Sequence, residues 1–179
     1  MSINDLINID NTFSESAFIS KVDNTFIMLL SSIMTDNMNR VKHKISNELF
    51  EKYSNYLNEL NQKNQRQMYD ELNVKSTQIT EINEDENDYI IKVLLVSRYL
   101  DYIVDKSSLN LIVGNNTDRV EINNYLTFRK RKNSRVESIA KKCPGCGANV
   151  DVNNTGICPY CGASYDTYNY DWVLTNIEG

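Results

Sequence analysis

The feature that most constrains this chain is a pair of cysteine knuckles near its end, Cys143-Pro144-Gly145-Cys146-Gly147 and Cys158-Pro159-Tyr160-Cys161-Gly162, with 11 residues between Cys146 and Cys158. Each C-x-x-C turn delivers two thiolates from one tight loop. Two such turns supply the four soft donors of a tetrahedral zinc site, each about 2.3 Å from the ion. Gly147 and Gly162 stand where the chain must turn back with positive φ, which lets backbone amides point towards sulfur. With Cys143, Cys146, Cys158 and Cys161 filling all four positions, the expected cofactor is one structural zinc ion, with no position left for water or substrate. The competing readings are a redox-active C-x-x-C, which calls for a thioredoxin-like βαβ pattern that neither pair has around it, and disulfides, which suit an oxidising compartment.

Charge divides the 179 residues into three parts. Lys and Arg number 12 against 19 Asp and Glu in residues 1–128, 7 against 1 in residues 129–142, and 0 against 4 in residues 143–179. A basic connector therefore separates an acidic body from an acidic tail piece. The domains expected are 1–132, 133–142 as a basic linker, and 143–179 as a zinc ribbon with an aromatic tail. The ribbon piece has too little core to fold alone, so its folding should be coupled to metal binding. Lys141 and Lys142, just upstream, would offset the −2 charge of four thiolates around one zinc.

A 41% hydrophobic chain with 6 Gly and 2 Pro can bury a core and excludes disordered and collagen-like classes. No run approaches the roughly 18 uncharged residues of a membrane span, the best being the amphipathic residues 25–34. The start of the chain lacks the basic and apolar segments of a signal peptide, which gives a cytoplasmic expectation.

Within the body, Thr12 and Glu15 fit a capping box, followed by Phe18, Val22, Phe26, Leu29, Leu30 and Ile33 at helical spacing. A second helix carries Ile45, Leu49, Tyr53, Tyr56, Leu57 and Leu60 on one face, and a short turn at 36–42 joins the two. Beyond Met68 the period becomes two. Leu72 and Val74, then Ile79 and Ile82 after a register break near Ser76, predict a strand, with residues 83–88 as a hairpin tip. Residues 89–104 return as a long strand apolar on both faces, which must be covered twice or line a pocket. Residues 109–113 predict a short strand ending at Gly114, and Val120, Ile122, Leu126 and Phe128 a last one. The expectation is an α+β layer of helices on a four-stranded antiparallel sheet.

Residues 101–105 (Asp-Tyr-Ile-Val-Asp), then Ile112-Val113-Gly114 and Tyr125-Leu126-Thr127-Phe128-Arg129-Lys130, followed by the cysteines and Tyr170-Asp171-Trp172-Val173-Leu174, resemble the carboxy-terminal domain of the mitochondrial inner-membrane translocase tether, subunit forty-four. Bacterial relatives of that domain often end in a zinc ribbon. The resemblance implies a nuclear-transport-factor-two-like, cystatin-like cone, in which a strongly bent sheet wraps helices around a pocket. It also implies a transport-associated, protein-binding role and contact with anionic lipid.

The function expected is a non-enzymatic module that binds a protein partner, a second copy of itself or a small apolar ligand. The alternatives are a peripheral protein held at the inner face of an anionic membrane through Arg129, Lys130, Arg131, Lys132, Lys141 and Lys142, and a cone-fold enzyme with an Asp and Tyr pocket formed by Tyr89, Tyr99, Asp101 and Tyr125. Nucleic acid is disfavoured, because the ribbon contains no Lys or Arg and the body is acidic. His43, between Lys42 and Lys44, reads as a solvated residue and not as a catalytic base. The aromatic tail, Tyr165, Tyr168, Tyr170, Trp172, Val173 and Leu174, is expected to dock on the body or on a second copy, covering an exposed sheet edge or groove.

Overall fold

The computed structural model describes residues 1–132, 143, 146–149, 158–162 and 171–179. A short helix α1 (Ile3–Ile9) opens the chain under a capping box between Ser2 and Asp5. The long helix α2 (Glu15–Met34) is capped by Ser14, whose hydroxyl accepts from the Ala17 amide. Thr12 instead turns back on the Asp10 carboxylate, at 2.5 Å from its hydroxyl, so the capping box expected of Thr12 and Glu15 does not form. A 3-10 turn (Met38–Arg40) leads into α3 (Asn47–Gln62), capped by Ser46. All six residues of the first stripe, from Phe18 to Ile33, are buried. By length and composition α2 could also cross a membrane, but here its apolar face is core and packs on the first strand.

Four antiparallel strands follow in the order β1 (Gln65–Glu84), β2 (Asp88–Asp105), β3 (Leu111–Arg131) and β4 (Val173–Glu178). The acidic hairpin tip is where residues 83–88 predict it, with Asp85 accepting from the amides of Asn87 and Asp88. The register of β1 against β2 slips three times, once at Val74/Ser76 and once at Asp70/Asn73, where Glu71 takes a φ of 54°. Opposite the same part of β2, β3 also slips between its partners of Tyr99 and Asp101. There Asn115 accepts from the amides of Thr117 and Asp118 in a tight local turn. Both neighbours of β2 thus bulge at one level, and the extruded Glu71 and Arg119 meet across β2 at 2.6 Å. Paired bulges of this kind bend a sheet.

The strands expected separately at 109–113 and 120–128 are one strand, β3, which begins at Leu111, runs to Arg131 and is interrupted by that turn. Gly114 permits it: its φ is 90°, and a Cβ there would collide with the Asp101 carbonyl and lie 2.7 Å from Tyr102 Cα. The fourth strand lies in the tail. Trp172 immediately precedes it, and β4 pairs with residues 125–129 of β3. On its other side Leu174 donates to the Lys44 carbonyl (3.0 Å) and accepts from the Ser46 amide (2.8 Å). Val173–Glu178 therefore covers a sheet edge of its own chain with a backbone ladder, while Tyr165, Tyr168 and Tyr170 of the expected aromatic tail lie outside the described residues.

The inner face of β2 (Ile91, Val93, Leu95) is buried with the helices, while Ile90, Leu94 and Val96 on the outer face are half-buried. The ion pairs Lys92–Glu81 and Lys75–Glu121 alternate with these outer residues. Exposed pairs of this kind contribute well under about 1 kcal/mol each, so they keep the face soluble more than they stabilise it.

Candidate functional site

The two knuckles adopt the same turn. Gly147 donates to the Cys143 carbonyl at 2.8 Å and Gly162 to the Cys158 carbonyl at 2.9 Å. Both glycines are left-handed, with φ of 72° and 73°. The Tyr160 amide points at Cys158 Sγ, 3.4 Å away. All four sulfurs lie within 4.8 Å of one another, with Cys143 to Cys161 at 3.5 Å and Cys146 to Cys158 at 3.8 Å. A tetrahedron of sulfurs about 2.3 Å from a zinc ion has edges of about 3.8 Å, so the donor set fits a metal, whereas a disulfide needs about 2.05 Å. Cys143 and Cys158 are buried, and Cys146 and Cys161 are exposed. Lys141 and Lys142 lie outside the described residues, as do residues 133–140 of the connector and the turn at 151–157.

The basic residues ending β3 are engaged within the chain. Arg129 reaches Asp85 at 2.7 Å and Asp88 at 3.4 Å, and Lys132 reaches Glu84 at 2.8 Å. Lys130, only 8% exposed, holds Asp10 at 2.6 Å. Burial opposes ionisation of Asp10, but Lys130 and Thr12 outweigh it and keep its carboxyl below the usual range. Arg131 is exposed at the end of the strand. These charges tie the acidic hairpin tip and the end of the first helix to the end of β3 and the turn after it.

Of the four residues expected at a pocket, the structure brings two together. Tyr99 and Asp101 share the inner face at the bent end of the sheet. Tyr89 lies ten residues away on β2, beside Lys132, whose Nζ is 5.6 Å from its ring centre. Tyr125, paired with Leu94, is on the outer face and 54% exposed.

Around Tyr99 and Asp101 stand residues that the sequence pattern does not single out. Tyr69, opposite Asp101 in the ladder, meets Tyr99 edge-to-face with ring centres 5.4 Å apart. Gln67 donates to Asp101 at 2.7 Å and accepts from the Tyr56 hydroxyl of α3 at 2.6 Å. Tyr53, one turn earlier on α3, completes the group. Burial, then Asp101, then Tyr53 push the Tyr99 hydroxyl up to about 12. Tyr69 is pushed up further, by burial first and then by Tyr56 and Asp101. Both stay neutral donors at ordinary pH. His43 is half-buried in the turn before α3, with burial and then Lys44 lowering its pKa, and it is not part of this cluster.

The raised tyrosines have a consequence for stability. A phenol whose pKa rises from 10 to about 12 on folding contributes stability that is present below about pH 10 and lost as pH rises through 12. Replacing Tyr99 by Phe should flatten the fall in unfolding free energy between about pH 10 and 12 by about 2 kcal/mol, measured by urea unfolding at several pH values. An unchanged slope would refute the assignment.

The model of the Tim44-like domain matches residues 1–139. The chain belongs to the Tim44-like domain family. No curated protein matches it. Among solved structures, the intermembrane space region of the chloroplast protein ARC6 aligns with 93% of this chain and 95% of that one, at 8% identity and a TM-score of 0.40, a likeness too weak to carry an inference. The Tim44-like match spans α1 to β3 and ends before the first cysteine, so the cysteine cluster and β4 are additions to the matched region.

Proposed function

We propose that this Tim44-like protein is a non-enzymatic interaction module, stapled by one structural zinc ion, whose partner is a protein that adds an extended segment to the free edge of β3. The observation that carries this reading is the uncovered end of the β2–β3 hairpin. Leu109, Leu111, Ile112 and Val113 are all exposed there, Val113 by 59%. Because β4 pairs only with residues 125–129, no strand among the described residues pairs with the outer edge of residues 111–124. An edge with unpaired backbone groups and apolar side chains on both faces is suited to strand addition. The non-enzymatic part is supported by the Tim44-like match over residues 1–139. Zinc is supported by the four thiolates and their spacing.

The test is a photo-cross-linking residue at Val113 in the full chain. It should trap one protein species, and Ile112→Pro, which removes a backbone donor from this end of β3, should abolish the product without lowering the melting temperature. An identical product from a probe at Lys52 on α3, or insensitivity to Ile112→Pro, would overturn the reading.

A further inference from the structure

The second cluster carries an inference independent of the hairpin edge and the cysteines. Asp101 is a half-buried carboxylate held by Gln67, and among the described residues no Lys or Arg forms an ion pair with it. Four tyrosines converge on it. Tyr56 is linked to it through Gln67 (2.6 Å and 2.7 Å), Tyr69 is its ladder partner, Tyr99 is on its own strand and face, and Tyr53 lies beside Tyr56 on α3. The group is open on one side. The residues of β3 opposite Tyr99, Asp101 and Ile103 are Val120, Asn115 and Val113, all exposed. The charged groups that face the cluster from α3 are Lys52, 5.6 Å from the Tyr53 ring centre, and Glu59, near Tyr56.

A carboxylate without a cation, walled by aromatic rings, is a complement for positive charge on an apolar body. The ring quadrupoles attract a cation, and partial burial of the carboxylate weakens the competing water. Neutral phenol hydroxyls can satisfy a polar substituent on the same molecule. An anion is disfavoured by Asp101 and Glu59, and a purely apolar ligand would leave the carboxylate desolvated without compensation.

We propose that Asp101, with Tyr53, Tyr56, Tyr69 and Tyr99, forms a binding site for a small organic cation bearing an alkylammonium group. The probe is choline, compared with 3,3-dimethylbutan-1-ol, which has the same shape without the charge. Titration of the full chain, followed by tyrosine side-chain NMR shifts, should show choline binding at least about tenfold more tightly than the alcohol. Asp101→Asn, which keeps the acceptor for Gln67, should weaken choline at least about tenfold and leave the alcohol unchanged. Tyr99→Leu should weaken choline while the melting temperature confirms a folded chain. Equal binding of the two compounds, absence of saturable shifts with choline, or indifference of choline to Asp101→Asn in a folded variant would each overturn the proposal. None of these outcomes bears on the β3 edge, so this site and the partner reading fail separately.

Discussion

Untagged protein purified under reducing conditions should carry one zinc ion per chain, and Cys158→Ser should lose it. Four thiolates preorganised within 4.8 Å of one another need little rearrangement to close on an ion. Structural zinc in small modules is bound with roughly 10–16 kcal/mol at neutral pH. Replacing one buried thiolate by a hydroxyl removes a charged donor, so affinity should fall by well over the 10–100-fold typical of losing an outer-shell partner. Elemental analysis and competition with a chromogenic chelator measure both. Less than one-tenth of an equivalent in the unaltered protein would sink the zinc assignment, on the order-of-magnitude stoichiometry that a closed four-thiolate site implies.

What chelation does to the rest of the chain follows from where the cysteines sit. They lie in the connection between two strands that are neighbours in the sheet, Arg129 of β3 pairing with Val173 of β4. Metal shortens that loop, but loop entropy varies only with the logarithm of length. Removing the metal should therefore cost the β3–β4 pairing about 0.5 kcal/mol. Trp172, the one tryptophan, reports on this pairing directly, since it is buried where β4 begins. Its emission should stay blue-shifted after chelation. A red shift to the value of free tryptophan would show that metal, and not packing, holds β4.

Much of the fold was legible in the residues because each local signal agreed with the tertiary one. The stripe from Phe18 to Ile33 has helical period and becomes core, and the break near Ser76 is a register slip. Glycine at 114 marks the interruption of β3, although period alone reads two strands where the backbone pairs one strand with β2 across a tight turn. The helix cap shifted from Thr12 to Ser14 because both are competent caps and the Asp10 carboxylate captures Thr12. β4 was hidden because its partner lies more than forty residues back along the chain, a separation that no local pattern encodes. The cysteine set was plain from spacing. The tyrosine cluster was half visible: Tyr99 and Asp101 share a strand, but Tyr53, Tyr56, Gln67 and Tyr69 join them only when α3 and β1 pack, and Tyr125 is separated from them by the pleat.

Trp172→Ala should be among the most damaging single substitutions. The indole meets Phe18 edge-to-face at 5.4 Å and Phe13 at 6.2 Å, and Phe18 in turn meets Phe128 of β3 at 5.5 Å. The side chain is only 7% exposed, and the Leu174 that follows is fully buried between β3 and the segment before α3. Truncation removes the transfer energy of a large aromatic ring and leaves a cavity, at a cost of about 3–5 kcal/mol. In a chain of this size that corresponds to a fall in melting temperature of about 10 °C. The Asp171 to Lys21 ion pair beside it cannot hold β4, because a partly exposed pair contributes at most about 1 kcal/mol. Trp172→Phe should cost less, because it keeps an aromatic ring against Phe18. If Trp172→Ala unfolds within about 2 °C of the unaltered protein, β4 is an accessory to the sheet, and the Tim44-like region is stable without the strand that follows the cysteines.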